Sequence, residues 1–171
     1  MTFTHLTYSH TDYSDIWPIY FGETSRYFRL DRNKFFAIER EDLRVDPSYT
    51  QLLYDESVTY PQRLYSILQQ LDEDVLLFDH EDMFLYDYCD VDAIRLYWEL
   101  VGDGVFDSIR LVKGGKASLV KSKHASHLYE IQGSSRWIFS IQPSVWNRKA
   151  LMMILEQFAE HNIWAGSYTH L

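Results

Sequence analysis

A chain of 171 residues with 46 % apolar side chains is long enough to bury a core in one domain, and a formal net charge of −9 with no basic patch excludes unaided binding to nucleic-acid backbones. Cys89 is the single cysteine, which excludes an internal disulfide and fits a reducing compartment. No apolar run reaches membrane-span length and Met1-Thr2-Phe3-Thr4-His5 lacks signal-peptide character, so a cytoplasmic protein without a transmembrane segment is expected.

In chain order, Phe3 to Tyr8 predicts a strand, followed by the polar loop Ser9 to Ser14. Asp15 suits the N-cap of a helix that carries Pro18 in its first turn and Ile16, Ile19, Tyr20 and Tyr27 on one face. Lys34 to Ile38 reads as a second strand, Glu39 to Asp42 as a charged turn, and Tyr49 to Tyr54 as a third strand that ends at Asp55-Glu56-Ser57. Thr59 and Gln62 have capping-box spacing around Pro61, and Leu64, Ile67, Leu68 and Leu71 repeat at helical intervals. After the turn Asp72-Glu73-Asp74, Val75 to Phe78 predicts a central strand.

Asp90 caps a further helix with Ile94, Tyr97, Trp98 and Val101 on one side and Gly102 and Gly104 at its end. Phe106 to Val112, His127 to Ile131 and Trp137 to Ile141 predict strands, the last two as a hairpin around Gly133. The basic stretch from Arg110 to Lys123 reads as a solvated hairpin or loop, or as a loop that faces phosphate. Pro143-Ser144 opens a helix with Leu151, Ile154, Leu155 and Phe158 at helical spacing. The alternation of strands and helices predicts an α/β fold: a Rossmann-like, mainly parallel sheet flanked by helices, with a short antiparallel edge in the C-terminal third and one domain over residues 1–171.

The run from Val75 to Phe84 places three carboxylates and a histidine directly after four apolar residues. Parallel sheets collect ligands at the carboxyl ends of their strands, and crowded carboxylates repel one another unless they share a cation. Asp79, Glu81 and Asp82 are therefore the expected metal ligands. Asp79 and Glu81 share a face if the strand stays extended, and Asp82 replaces one of them if the chain turns.

The segment order and the acidic motif Phe78-Asp79-His80-Glu81-Asp82 resemble GT-A-fold nucleotide-sugar glycosyltransferases. Tyr60-Pro61-Gln62-Arg63-Leu64 and Phe139 to Trp146 resemble a group of small bacterial and viral glycosyltransferases. The resemblance implies a Mn²⁺ or Mg²⁺ cofactor, a nucleotide-diphosphate sugar donor and a glycan or polysaccharide acceptor. Asp12 with Tyr13, Asp55, Arg63 and His80 read as donor contacts or as turn, helix-surface and spectator residues, and Trp146 and Trp164 read as core residues or as a sugar platform. The chain departs from the family where Trp164 is followed by Ala165-Gly166-Ser167 and no acid, so the catalytic base is unassigned among Glu160, His161 and His170. Two other readings stand beside the enzyme: a non-catalytic nucleotide-sugar- or glycan-binding domain, and a metal-dependent phosphoryl enzyme. The last requires further metal ligands at other strand ends, and no Gly-rich phosphate loop accompanies it.

Overall fold

A computed structural model describes residues 3–112, 119–131 and 140–160. Its first half runs β1 (Phe3–Tyr8), a single 3-10 turn at Thr11–Tyr13, α1 (Trp17–Tyr27), β2 (Arg32–Ile38), β3 (Thr50–Leu53), α2 (Tyr60–Leu68) and β4 (Val75–His80). The second half adds α3 (Val91–Gly102), β5 (Ser108–Arg110), β6 (Leu119–Lys121), β7 (Tyr129–Ile131), β8 (Ser144–Asn147) and α4 (Arg148–Gln157). Six strands form one sheet in the order β3-β2-β1-β4-β8-β5, and β6 pairs with β7 as a separate two-stranded ribbon. The first four strands are parallel, and β8 runs antiparallel to both β4 and β5. The α/β class expected from the sequence is the observed one.

Strand alternation divides the core. Leu6, Leu76 and Phe78 point to the face covered by α2 and α4, where Leu64, Ile67, Leu151 and Leu155 are buried. Phe3, Val75 and Leu77 point to the opposite face with Ile94, Trp98 and Val101 of α3. Beside them, Phe36 and Ile38 of β2 pack on Trp17, Tyr20 and Phe21 of α1. Because β1 and β4 are buried along all of their residues, they form the centre of the molecule.

The helix boundaries follow their caps. Gln62 accepts the Thr59 N–H at 3.0 Å in the capping box that opens α2. Asp90 accepts the Ala93 N–H at 3.0 Å at the start of α3. That helix ends in a left-handed turn, with Gly104 at a φ of 72° and the Val105 N–H on the Leu100 carbonyl at 2.9 Å.

Several expected boundaries change. α1 is capped at Ile16 and not at Asp15, because the chain enters it from a turn in which the Ile16 N–H bonds the Tyr13 carbonyl at 3.1 Å. Its buried face is Trp17, Tyr20, Phe21 and Thr24, and Ile19 is exposed. Ser144 opens a strand rather than a helix. Val145 and Trp146 are β-formers that pair with Leu77 and Leu76 of β4, and the helix waits for Asn147. β4 runs two residues further than expected, to His80. The strand expected around Trp137 and the turn at Gly133 lie outside the described residues.

Candidate functional site

A cleft of about 530 Å³ opens at the carboxyl ends of the parallel strands. Tyr8 ends β1, Tyr54 follows β3 and Tyr60 begins α2; all three line it. The Tyr8 and Tyr54 rings stack at 4.9 Å with an interplanar angle of 9°, and Tyr60 meets Tyr8 edge-on at 4.9 Å. Burial raises the pKa of the Tyr8 and Tyr54 hydroxyls, so both are neutral hydrogen-bonding groups at ordinary pH. The Tyr54 hydroxyl donates to the Ser9 carbonyl at 2.7 Å and ties the end of β3 to the loop after β1.

The outer wall of the cleft is polar. His10, Asp12 and Tyr13 come from the β1–α1 loop, and Val58, Thr59 and Arg63 from the entry to α2. Arg63 is braced by backbone: its Nε donates to the Val58 carbonyl at 2.8 Å and its Nη2 to the Glu56 carbonyl. Its guanidinium carbon lies 5.7 Å from the Tyr54 ring centroid.

Next to the cleft, three strand ends bring together His10, Glu39 and Glu56, with one ligand atom from each lying within 4.8 Å of the others. Glu39 follows β2, and its side chain is only 3 % exposed. It accepts the Thr11 N–H and the Thr11 hydroxyl. Those bonds and the nearby His10 outweigh its burial and hold its pKa below the usual carboxylate value.

The acids predicted as metal ligands have three different settings. Asp79 points to the α1 face, where the Tyr20 hydroxyl donates to its carboxylate at 3.0 Å and His5 Nε2 lies 3.0 Å away. Tyr20 in turn shares a 2.6 Å hydrogen bond with Thr7. Glu81 is 6 % exposed, and burial pushes its pKa up to about 7. Asp82 is exposed. Their ligand atoms do not meet as a group among the described residues.

The other predicted contacts divide in the same way. Asp12, Tyr13 and Arg63 line the cleft. Asp55 is exposed and closes a turn by accepting the Ser57 N–H at 2.8 Å. His80 points to the cleft face of the sheet but lies beneath the tyrosines, with its Nε2 2.9 Å from the Tyr60 hydroxyl, and burial lowers its pKa. Trp146 is a core residue of β8. Exposed Glu160 accepts from Gln62 at 3.2 Å, whereas His161, Trp164 and His170 lie outside the described residues. In the basic stretch, Arg110 lies on β5 and Lys121 on β6, which pairs with β7 rather than β5.

Sequence reasoning missed Tyr8, His10, Glu39, Tyr54, Glu56 and Tyr60. Glu39 carries the same signal that selects Asp79, an acid at the end of an apolar strand, but Arg40, Glu41 and Asp42 behind it give the stretch the pattern of a charged turn.

No protein-family model and no curated protein sequence matches the chain. Solved structures do share its fold. One is 4-diphosphocytidyl-2C-methyl-D-erythritol synthase, with a TM-score of 0.56 and 11 % identity over 97 % of this chain and 83 % of that one. Another is the bifunctional IspDF from Campylobacter jejuni, with a TM-score of 0.52 and 13 % identity over 98 % of this chain. The present chain spans 46 % of that bifunctional protein's length. These neighbours correct the glycosyltransferase expectation: the fold is shared with a diphosphocytidyl-methylerythritol synthase and a bifunctional IspDF, and neither supports sugar transfer, a glycan acceptor or a role in polysaccharide synthesis. The resemblance rests on segment order, an acidic strand end and two short runs, and one α/β fold hosts unrelated transfers at its strand ends.

Proposed function

We propose that this chain is a nucleotidyltransferase that binds a nucleoside triphosphate in the tyrosine-lined cleft and transfers the nucleoside monophosphate to a phosphorylated acceptor. The observation that carries this reading is the cleft itself: a polar, aromatic hollow at the carboxyl ends of parallel strands, on a fold shared with a diphosphocytidyl synthase. Tyr13, 56 % exposed, supplies a ring face for a base, and Arg63 supplies a fixed guanidinium for phosphate. Asp12 is placed to accept from ribose hydroxyls.

In the step itself, an acceptor phosphate oxygen attacks the α-phosphorus. The bond to the bridging oxygen breaks, and pyrophosphate leaves with the electron pair. Transfer of this kind places developing charge on the leaving group, so positioning and charge stabilisation supply most of the catalysis. A divalent cation, Mg²⁺ or Mn²⁺, when bound, neutralises that charge. A phosphoryl enzyme calls for metal-ligating side chains at strand ends other than β4, and the grouping of His10, Glu39 and Glu56 beyond β1, β2 and β3 supports that reading. A cytoplasmic setting suits an enzyme fed by nucleoside triphosphates. No helix among the described residues is long and apolar enough to cross a membrane.

Calorimetric titration with CTP, UTP, ATP and GTP in the presence of Mn²⁺ tests the reading. One nucleotide should bind, and Arg63→Ala should weaken it by roughly ten- to a hundredfold, the worth of a charge-assisted hydrogen bond. Tyr13 is 56 % exposed, so Tyr13→Ala tests the same cleft without disturbing the core. If no triphosphate binds, or if both variants bind as well as the parent chain, the reading fails. Pyrophosphate release on addition of phosphorylated alcohols then identifies the acceptor class.

A further inference from the structure

We propose that His10, Glu39 and Glu56 form a binding site for one first-row divalent cation, of the Mn²⁺ or Zn²⁺ type, at the rim of the cleft. The inference deepens the nucleotidyltransferase reading by placing the cation, and its chemical role rests on that reading. Its geometry does not.

The three ligands leave three different strand ends that the sheet order sets side by side: His10 after β1, Glu39 after β2 and Glu56 after β3. His10 Nε2 lies 3.7 Å from Glu56 Oε2 and 3.9 Å from Glu39 Oε1. These separations are too long for good hydrogen bonds and short enough for one ion to bridge. Glu39 is fixed from behind by Thr11, so one carboxylate is oriented before any ion arrives. One imidazole nitrogen with two carboxylates is a donor set that first-row ions such as Mn²⁺ and Zn²⁺ accept, whereas Mg²⁺ and Ca²⁺ favour oxygen alone.

Two neighbours already serve this cluster. Arg40 Nη1 lies 3.6 Å from Glu39 Oε1 while its Nη2 donates to the Thr11 hydroxyl at 2.6 Å, so the guanidinium stays on Thr11 when a cation takes the outer side of the carboxylate. His10 Nδ1 accepts the Asp12 N–H at 3.1 Å, which leaves the proton of a neutral ring on Nε2. Ligation through Nε2 requires that proton on Nδ1 and so gives up the hydrogen bond from the Asp12 N–H. Asp12 Oδ2 lies 3.5 Å from Nδ1 on an 80 % exposed side chain, and a small rotation brings it into range to accept there, the carboxylate–histidine–metal arrangement. The proton moves from one ring nitrogen to the other, and none is lost.

The cleft also calls for positive charge. Arg63 is the one lysine or arginine among the described residues that line it, and Asp12 opposes it. A triphosphate brings about four negative charges, so a cation at the rim balances what the side chains leave uncompensated.

The test uses the full, untagged chain without nucleotide. Calorimetry with Mn²⁺, Zn²⁺ and Mg²⁺ should show one equivalent of Mn²⁺ or Zn²⁺ bound, with Mg²⁺ weaker by roughly tenfold or more. His10→Asn keeps an acceptor for the Asp12 N–H but removes Nε2, and Glu56→Gln alters an exposed side chain. Each should weaken binding roughly tenfold or more while leaving the metal-free melting temperature near that of the parent. The pair Glu81→Gln with Asp82→Asn should bind metal as the parent does. Nitrogen-15 spectra with diamagnetic Zn²⁺ should show the His10 ring proton pass from Nε2 to Nδ1. Absence of stoichiometric binding overturns the inference, as does equal affinity for Mg²⁺, full binding by His10→Asn, or loss of binding in the Glu81 and Asp82 pair. Metal binding without any triphosphate binding sinks the nucleotidyltransferase reading alone, and triphosphate binding by a chain that takes no metal sinks this one alone.

Discussion

Glu81 shows how much one backbone turn decides. Alternation puts Asp79 and Glu81 on one face only if the strand continues, and β4 ends at His80. The Met83 N–H bonds the His80 carbonyl at 3.1 Å and closes a turn through Glu81 and Asp82. Glu81 is thereby buried, and loss of solvation is the main reason that its pKa rises from 4.5 to about 7. An acid raised in the folded state binds its proton more tightly there than in the unfolded chain. Its cost is therefore absent below about pH 4.5, grows as pH rises to about 7, and stays at its full value above that. Glu81→Gln should leave stability unchanged at pH 4 and raise it at pH 8 by on the order of 2–3 kcal/mol. Urea unfolding of both chains at the two pH values measures this, and an equal effect at both would show that ionisation of Glu81 is not the source.

At the scale of elements, signals that depend on neighbours in sequence were legible and those that depend on neighbours in space were not. The Thr59–Gln62 box and the Asp90 cap are local hydrogen-bond patterns, and both helices start where those residues place them. Residues 144–147 show the opposite case. Leu151 and Leu155 repeat at helical spacing, but pairing with β4 draws the preceding residues into the sheet. The true cap is Asn147, which accepts the Ala150 N–H at 3.1 Å. Its backbone N–H meanwhile bonds the Asp107 carbonyl at 2.8 Å, so one residue ends a strand and begins a helix. Asn147→Ala should cost about 1 kcal/mol, read as a lower urea midpoint with an unchanged slope. Asn147→Asp should recover most of it, because an N-cap needs an acceptor oxygen and tolerates negative charge beside the helix N-terminus.

Across the whole molecule, strand order is what made the candidate site hard to read. Glu39, Asp55, Glu56 and Asp79 all stand at or just beyond a strand end, and one sequence gives no rank among them. The order β3-β2-β1-β4 sets the ends of β1, β2 and β3 side by side, while Asp79 turns to the α1 face of β4. The same order predicts where the fold is most stable. β1 pairs with β2 over six residues and with β4 over four, and all six of its residues are buried. β3 and β5 are edge strands of four and three residues with a single partner each. Amides with partners on both sides and cover on both faces exchange only when the whole sheet opens, whereas edge amides exchange through local fraying. Hydrogen exchange should therefore be slowest at Leu6, Thr7, Leu77 and Phe78, approaching the global unfolding free energy, and clearly faster in β3 and β5. Uniform protection across the six strands would mean that the sheet opens as one unit. The order found here would mean that the loops bearing His10 and Glu81 grow from the two most persistent strands, while Glu56 lies beyond one of the least persistent, β3.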